Sequence, residues 1–330
     1  MIRVVIPVAG AGLHLRPHTY TQPKPLIPIA GKPLLGHIVD ELVHQGFTDF
    51  VFILGYLSEK VRSYLLQTYD GRLTMDFVYQ EPRLGLAHAI SLTQPYFRHG
   101  EVMLIVLGDT LLRVDWNLLR QSSQNLVGIA PVENPSNFGI AEIGPDRRIQ
   151  RLSEKPLIPR SNQALVGLYF IRDTKQLFEA ITYLLEHRIT SHGEYQLTDA
   201  LQHMIEGGAE IYAFPVEYWL DCERRETLLA ANRLLLDRLS TEPLPSYPHS
   251  VIIPPVYIPP SCKIFRSIVG PYVSLGEGVE LQNTIVQDSI IGTFSRVRDM
   301  LLHESIIGGD ALLTGRQTSL NLGENTVIEL

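Results

Sequence analysis

Only two cysteines occur in 330 residues, Cys222 and Cys262. That is too few for a disulfide framework, and their spacing matches no metal motif, so they read as free thiols of a reducing compartment. Basic runs are also missing: 28 Lys and Arg stand against 35 Asp and Glu, a net charge of −7. Such a balance argues against a nucleic-acid surface. No apolar run approaches the roughly 20 residues needed to span a bilayer. No charged and apolar leader precedes the first strand signal. These absences predict a cytoplasmic protein with no membrane and no nucleic-acid partner. What is present, 45% hydrophobic and 19% charged residues, is the composition of an ordered globular chain. Its length suits one large domain and a smaller one.

The stretch from Val4 to Pro28 stands out. An apolar run turns abruptly into Ala9-Gly10-Ala11-Gly12, the order expected where a buried strand delivers a backbone loop to a ligand. Small residues let amide N–H groups surround an anion. His14, Arg16 and Lys24 follow, with prolines at 17, 23, 25 and 28 holding the segment extended, and a polyphosphate is the expected ligand. A dinucleotide fingerprint fails because Leu15 stands where its third glycine belongs. A P-loop fails because Leu13 follows Gly12. A Gly-rich turn without a ligand is the remaining alternative.

Downstream, strand and helix patterns alternate. A helix follows Pro33 and stops at Gly46, and apolar strands are expected over 50–54, 75–79 and 102–107, with helices over 59–68 and from about Leu86. This alternation predicts a largely parallel α/β sheet with ligands at the carboxyl ends of its strands. Gly108-Asp109-Thr110 falls at such an end. An Asp there is costly unless it caps a helix or holds a cation, and a triphosphate normally arrives with Mg²⁺.

With these residues in order, the chain resembles the sugar-1-phosphate nucleotidylyltransferases, or NDP-sugar pyrophosphorylases. Their signature, Gly-x-Gly-Thr-Arg-Leu-x-Pro-x-Thr followed by Pro-Lys, is matched at Gly10, Gly12, Leu15, Pro17, Thr19, Pro23 and Lys24. Leu13 replaces the usual Thr and His14 the usual Arg. The pattern is nearest to that of glucose-1-phosphate thymidylyltransferase-like members with a C-terminal left-handed β-helix. The resemblance implies a Rossmann-like nucleotidyltransferase domain and assigns roles residue by residue. Ala9, Gly10 and Gly12 bind nucleotide phosphates, Gln80 and Gly85 the base. Lys24, His14 and Asp109 are catalytic. Gly139 of the aromatic-Gly step, Glu154 and Lys155 of Glu-Lys-Pro, and Gly167 hold the sugar phosphate. Asp109 and Asp221, the latter in Trp219-Leu220-Asp221-Cys222-Glu223, hold Mg²⁺. Glu223 stands where the family has Gly. Thr198, in the Glu-x-x-x-Thr-Asp pattern, could equally be a plain helix N-cap.

After a helix of about 225–239, Pro243, Pro245 and Pro248 mark a linker. Apolar residues then recur every six positions: Ile252, Ile258 and Ile264; Val273, Val279 and Ile285; Ile291 and Val297. Ser-Ile-x-Gly repeats begin at Ser267, Ser289 and Ser305. A six-residue period predicts a solenoid, resembling the left-handed β-helix of hexapeptide repeats, with a β-sandwich as the alternative. The expected division is a catalytic domain over 1–240, a linker over 241–250 and a β-helix over 251–330, the two cores independent. The β-helix is read as structural and homo-oligomerising, and His303, alone on a turn, as solvated.

The expected reaction is nucleotidyl transfer from an NTP, dTTP or UTP favoured, to a sugar 1-phosphate, glucose 1-phosphate favoured, with release of pyrophosphate. Leu13, His14 and Glu223 predict a slow enzyme. The alternatives are a regulatory subunit that binds sugar nucleotides without turnover and, more distantly, an acetyltransferase of the β-helix type.

Overall fold

The computed structural model describes residues 1–239 and 246–316, so the expected linker lies outside the described residues up to position 245. Contacts divide the chain into two units. One is Met1–Ile27 with Lys32–Leu228; the other is Pro28–Gly31 with the chain from Leu229 onward. The division falls within a helix, not in the Pro-rich segment.

In the first unit, β1 (Ile2–Val8), β2 (Asp49–Leu54) and β3 (Thr74–Tyr79) pair in parallel, with α1 (Leu34–His44) and α2 (Ser58–Tyr69) as crossovers. After α3 (Leu86–Ser91), β4 (Val102–Val106) pairs in parallel with the other edge of β1. Uninterrupted apolar sequence from Phe50 to the end of β2 and throughout β4 is what strands covered on both faces require, and Phe50, Val51, Leu104 and Ile105 are fully buried. Beyond β4, antiparallel strands join this Rossmann-like core. β5 (Thr110–Arg113) and α4 (Trp116–Gln121) precede β6 (Asn125–Pro131), β7 (Gly139–Ile143), β8 (Ile149–Glu154) and β9 (Gln163–Ile171). β9 runs antiparallel to β4 and to β6, and β7 pairs antiparallel with β8. The sheet order is β8-β7-β9-β4-β1-β2-β3, with β6 branching from β9. After α5 (Thr174–His187) and α6 (Leu197–Glu206), β10 (Ile211–Pro215) pairs in parallel with β6, and β11 (Tyr218–Asp221) forms a separate antiparallel ladder with β5. The last helix, α7 (Arg225–Leu236), runs from the first unit into the second.

The second unit is the expected left-handed β-helix. Strands of two or three residues stack into three sheets of four, and every pairing among them is parallel. A sandwich is thereby excluded. The six-residue reading needs two corrections. Ile285 points outward, 42% exposed, and its neighbour Val286 is the fully buried residue. In a strand, a shift by one position reverses the face. The three Ser-Ile repeats are also inequivalent. Ser305 stacks on Ser289, its amide donating to the Ser289 hydroxyl, whereas Ser267 lies on a different sheet and accepts from the Thr284 amide. The inward ladder of Val269, Val286 and Leu302 carries the core.

Leu281, 2% exposed, and Gln282, exposed, are neighbours on opposite faces of one strand. Leu281→Thr removes apolar packing and buries a hydroxyl, so it should cost about 2–4 kcal/mol. Gln282→Thr should stay within about 0.5 kcal/mol. Urea unfolding of both variants checks the register. Equal losses would mean that the inward and outward faces have been misassigned.

Candidate functional site

The loop after β1 opens at Gly12, whose left-handed φ of 61° starts a short 3-10 turn over Leu13–Leu15. A Cβ at Gly12 would lie 2.8 Å from Lys24 Cβ, so position 12 demands glycine both by conformation and by space. Thr19, buried, donates its hydroxyl to the Gly12 carbonyl at 2.8 Å. Ala9 is buried, whereas Gly10 is exposed and open on its side-chain face. The chain thus presents a bare peptide edge there.

Lys24 lies in a 3-10 turn, 6% exposed, and its Nζ sits 2.7 Å from Asp109 Oδ2. Burial pulls the ammonium's pKa down. The Asp109 carboxylate, by charge and hydrogen bond, with Asp221 and Glu223 beyond it, more than offsets that and leaves the pKa raised. Asp109 follows β4, and the next element is strand β5. Its carboxylate therefore serves Lys24 and caps no helix.

The ladder between β5 and β11 sets Thr110 opposite Asp221, and the Cys222 amide donates to the Asp109 carbonyl at 3.0 Å. That ladder is how two carboxylates far apart in sequence converge. Burial first, then the charge of Asp109, pushes the Asp221 carboxyl up to about 7 despite the opposing Lys24 ammonium.

A cavity of about 220 Å³ opens beside these groups. Asp109, Gly139, Glu154, Lys155, Gly167 and Asp221 all line it, so the structure brings six of the expected site residues to one wall. Glu154 accepts from the Thr198 hydroxyl at 2.7 Å. Burial raises the Glu154 carboxyl, a shift that Thr198 and Lys155 oppose. Thr198 lies inside α6, whose cap residue is Gln196, so the N-cap alternative is corrected: its hydroxyl is spent on Glu154. Lys155 is exposed, and its amide donates to the Phe138 carbonyl at 3.1 Å.

Gln80, 5% exposed at the end of β3, donates from Nε2 to the Gly85 carbonyl at 2.9 Å and lies 3.1 Å from His88 Nδ1. It fixes the loop that carries Gly85. Leu86, which opens α3 directly after Gly85, lines the cavity. The amide of Tyr195 donates to the Leu84 carbonyl and that of Ala87 to the Tyr195 carbonyl, which clamp the same loop.

His14 is exposed, and its Nε2 is 3.8 Å from Glu223 Oε1. Two of the three departures from the signature thus face each other. His303 lies elsewhere, in the second unit, grouped with Asp288 and Glu304. The Arg233 guanidinium already pairs with those carboxylates.

Sequence reasoning gave no site role to Thr19, Trp219 or Phe138. Thr19 was visible as a matched signature position. The Phe138 and Trp219 rings meet edge-on, 5.2 Å between centroids, and both line the cavity. No spacing rule links them, because the contact forms only through the tertiary fold.

Comparison with known proteins agrees with this geometry. Residues 3–238 match the family described as Nucleotidyl transferase. The low-salt glycan biosynthesis nucleotidyltransferase Agl11 of Haloferax volcanii is 33% identical across 97% of this chain and 98% of its own. A glucose-1-phosphate thymidylyltransferase of Streptomyces antibioticus is 32% identical across 90% and 83%. Among solved structures, a putative glucose-1-phosphate thymidylyltransferase of Bacillus anthracis superposes with a TM-score of 0.63 at 25% identity, covering 73% of this chain and 98% of that one. From the open loop after β1 to the paired carboxylates at the ends of β4 and β11, the chain belongs to the nucleotidyl transferase family and is a nucleotidyltransferase.

Proposed function

We propose that the protein joins a pyrimidine nucleoside triphosphate, dTTP or UTP, to glucose 1-phosphate, releasing pyrophosphate. The observation that carries this reading is the convergence of Lys24, Asp109 and Asp221 beside a cavity lined by Glu154 and Lys155. The thymidylyltransferase relatives support the choice of base and sugar.

An oxygen of the sugar phosphate forms a bond to the α-phosphorus. The bond from that phosphorus to the bridging oxygen breaks, and pyrophosphate leaves with the electron pair. Positioning and charge neutralisation do most of the work in such transfers. The amides of Ala9, Gly10 and Gly12 take phosphate oxygens, and Lys24 adds a buried charge. Gly85, held by Gln80, lies along the base. Glu154, oriented by Thr198, accepts from sugar hydroxyls beside Gly139 and Gly167, while Lys155 is free to swing onto the sugar phosphate. Asp109 and Asp221 fit Mg²⁺: they are hard oxygen donors, and the burial that raises the Asp221 carboxyl, with the charge of Asp109 added to it, is a strain that a bound cation would relieve. Once bound, the cation supplies neutralisation of phosphate charge.

The setting is cytoplasmic by cysteine usage, and no helix among the described residues is long and apolar enough to cross a membrane. We further propose a homo-oligomer assembled through the β-helix. What supports it is an outward row of Val251, Ile268, Ile285 and Leu301, in register on one sheet and 36–73% exposed.

A pyrophosphate-release screen of NTPs against sugar 1-phosphates with Mg²⁺ tests the activity. Asp109→Ala and Asp221→Ala should each abolish turnover; a regulatory subunit would bind sugar nucleotides with no turnover in any pairing. Asp221 also has a signature without metal. Its folded pKa near 7 exceeds the ordinary 3.8, so its favourable contribution is present below about pH 4 and lost as pH rises towards 7. Asp221→Asn should therefore stabilise the metal-free protein at pH 8, by on the order of 1–4 kcal/mol, more than at pH 5. Equal melting shifts at the two pH values would argue against that burial.

The facing departures make a second test. Arg at position 14 offers a fixed planar fork to phosphate oxygens where His offers less. His14→Arg should raise kcat roughly 10-fold or more, and more so combined with Glu223→Gly, since Glu223 would otherwise hold the new cation. No gain in either variant would mean that the phosphates are met by other groups. For assembly, Ile268→Glu with Leu301→Glu should yield a smaller species by light scattering. A monomeric wild type would end the oligomer proposal.

A further inference from the structure

Pro28–Gly31 belongs by its contacts to the second unit, although it sits between Ile27 and Lys32 of the first. The chain therefore leaves the first unit four residues after Lys24 and re-enters it four residues later. This excursion is a tight turn. Ala30 has φ 44° and Gly31 φ 89°, and for an alanine that left-handed conformation costs on the order of 1–2 kcal/mol unless the surroundings enforce it.

The turn joins the paired strands Pro28–Ile29 and Lys32–Pro33, a two-residue connection that requires positive φ at both positions, and the C-terminal half adds to that local enforcement. Asn232 on α7 is fully buried, and its Oδ1 accepts from the Ala30 amide at 2.9 Å and from the Ser274 hydroxyl at 2.6 Å. Its Nδ2 donates to the Tyr272 carbonyl at 3.3 Å. Ser274 and Tyr272 are β-helix residues, so one side chain joins the turn to the repeat coils. The Tyr257 ring lies against Gly31, where a Cβ would fall 2.4 Å from it, leaving no room for a side chain. The next residue of α7, Arg233, is fixed by a 2.6 Å hydrogen bond to the buried Asp288 carboxylate. Asn232 is thus held on its helix, with both acceptor positions of Oδ1 and one donor of Nδ2 engaged.

The three residues between Lys24 and the Pro28–Gly31 excursion transmit position well. Pro23, Pro25 and Pro28 limit backbone freedom. Lys24 to Ile27 is buried, and the Ile27 amide donates to the Lys24 carbonyl at 3.1 Å. A shift of Ala30 has little slack to absorb before it reaches the Lys24 backbone, and Lys24 Nζ must lie within hydrogen-bonding reach of Asp109.

We infer that Asn232 is a positioning residue for nucleotidyl transfer: by holding the Ala30 turn it sets Lys24, which precedes that turn on the same proline-stiffened segment. The inference rests on the proposed role of Lys24. It changes the expectation of two independent cores, since removal of the chain from 246 onward would strip the turn of Ser274, Tyr272 and Tyr257.

The test uses the full-length protein and three variants. Asn232→Leu removes the acceptor for the Ala30 amide. Ser274→Ala removes one bond of the same hub but leaves the Ala30 contact. Leu281→Thr destabilises the β-helix without touching the hub, and is assayed below its melting transition. Misplacement of a catalytic group by about 1 Å can cost on the order of 10²-fold. Asn232→Leu should accordingly lower kcat 10- to 100-fold with KM for the triphosphate changed less than threefold. Ser274→Ala and Leu281→Thr should remain within threefold of wild type in both constants. Amide hydrogen exchange gives a readout independent of turnover: peptides covering 24–34 should exchange faster in Asn232→Leu than in the other two, with β1, β2 and β4 unchanged. Unaltered exchange over 24–34 in Asn232→Leu would overturn the coupling, whatever the activity. Faster exchange with unaltered kcat would overturn the catalytic consequence. An equal loss of kcat in Leu281→Thr would reduce Asn232 to a stabilising residue. If wild type shows no turnover in any pairing, the proposed reaction fails, while the exchange result still decides the coupling.

Discussion

The half-buried ion pair between Lys24 and Asp109 is the constraint around which the first unit is arranged. An ammonium on a proline-stiffened turn loses most of its hydration, and the carboxylate at the end of a strand makes that burial tolerable. Everything that fixes their separation serves the same end: the Gly12 turn that makes room for the Lys24 stem, the Thr19 hydroxyl that ties that turn, and the β5–β11 ladder that brings Asp221 alongside. The arrangement is over-supplied with negative charge. A protein would not bury such a cluster for stability alone, because an apolar replacement of similar volume would commonly be no worse. Negative charge gathered at one edge of a cavity is suited to ligands that bring their own cation.

Much of this was legible in the sequence, for identifiable reasons. Local order carries the loop after β1: apolar run, glycines and prolines are consecutive, and their conformational demands are set by neighbours in the chain. Alternation of strand and helix was equally readable, since β2 from Phe50 onward and β4 are continuous apolar runs. The antiparallel entry of β9 was not, because a buried strand has the same composition in either direction. The β-helix shows the limit more sharply. Its six-residue period was visible, but at Ile285 and Val286 two β-branched aliphatics stand side by side, and only the stacking of coils determines which faces inward. Thr198 is similar: a hydroxyl near a helix start fits a cap or a distant carboxylate, and Glu154 is brought near by β8, not by sequence proximity.

His14 and Glu223 give a different lesson. Read singly, each is a departure from a signature, one losing a fixed charge and the other adding a carboxylate. Together they are an opposite-charge pair whenever the imidazole is protonated, exposed enough for solvent to weaken it. Substitutions that look like two defects in a linear pattern occupy one place in space, and they are better weighed as a unit.

The hydrogen bond between Ala30 and Asn232 also has a temporal meaning. During synthesis the amide of Ala30 leaves the ribosome about two hundred residues ahead of its acceptor, a delay on the order of ten seconds or more at ordinary elongation rates. Until α7 and the first coils have emerged, the turn has only its flanking strands, Pro28–Ile29 and Lys32–Pro33, to hold the left-handed alanine. A nascent or prematurely terminated chain would thus carry the whole stretch from Val4 to Pro28 yet lack the acceptor for the Ala30 amide, so the last bond of that turn waits for the polypeptide to reach α7.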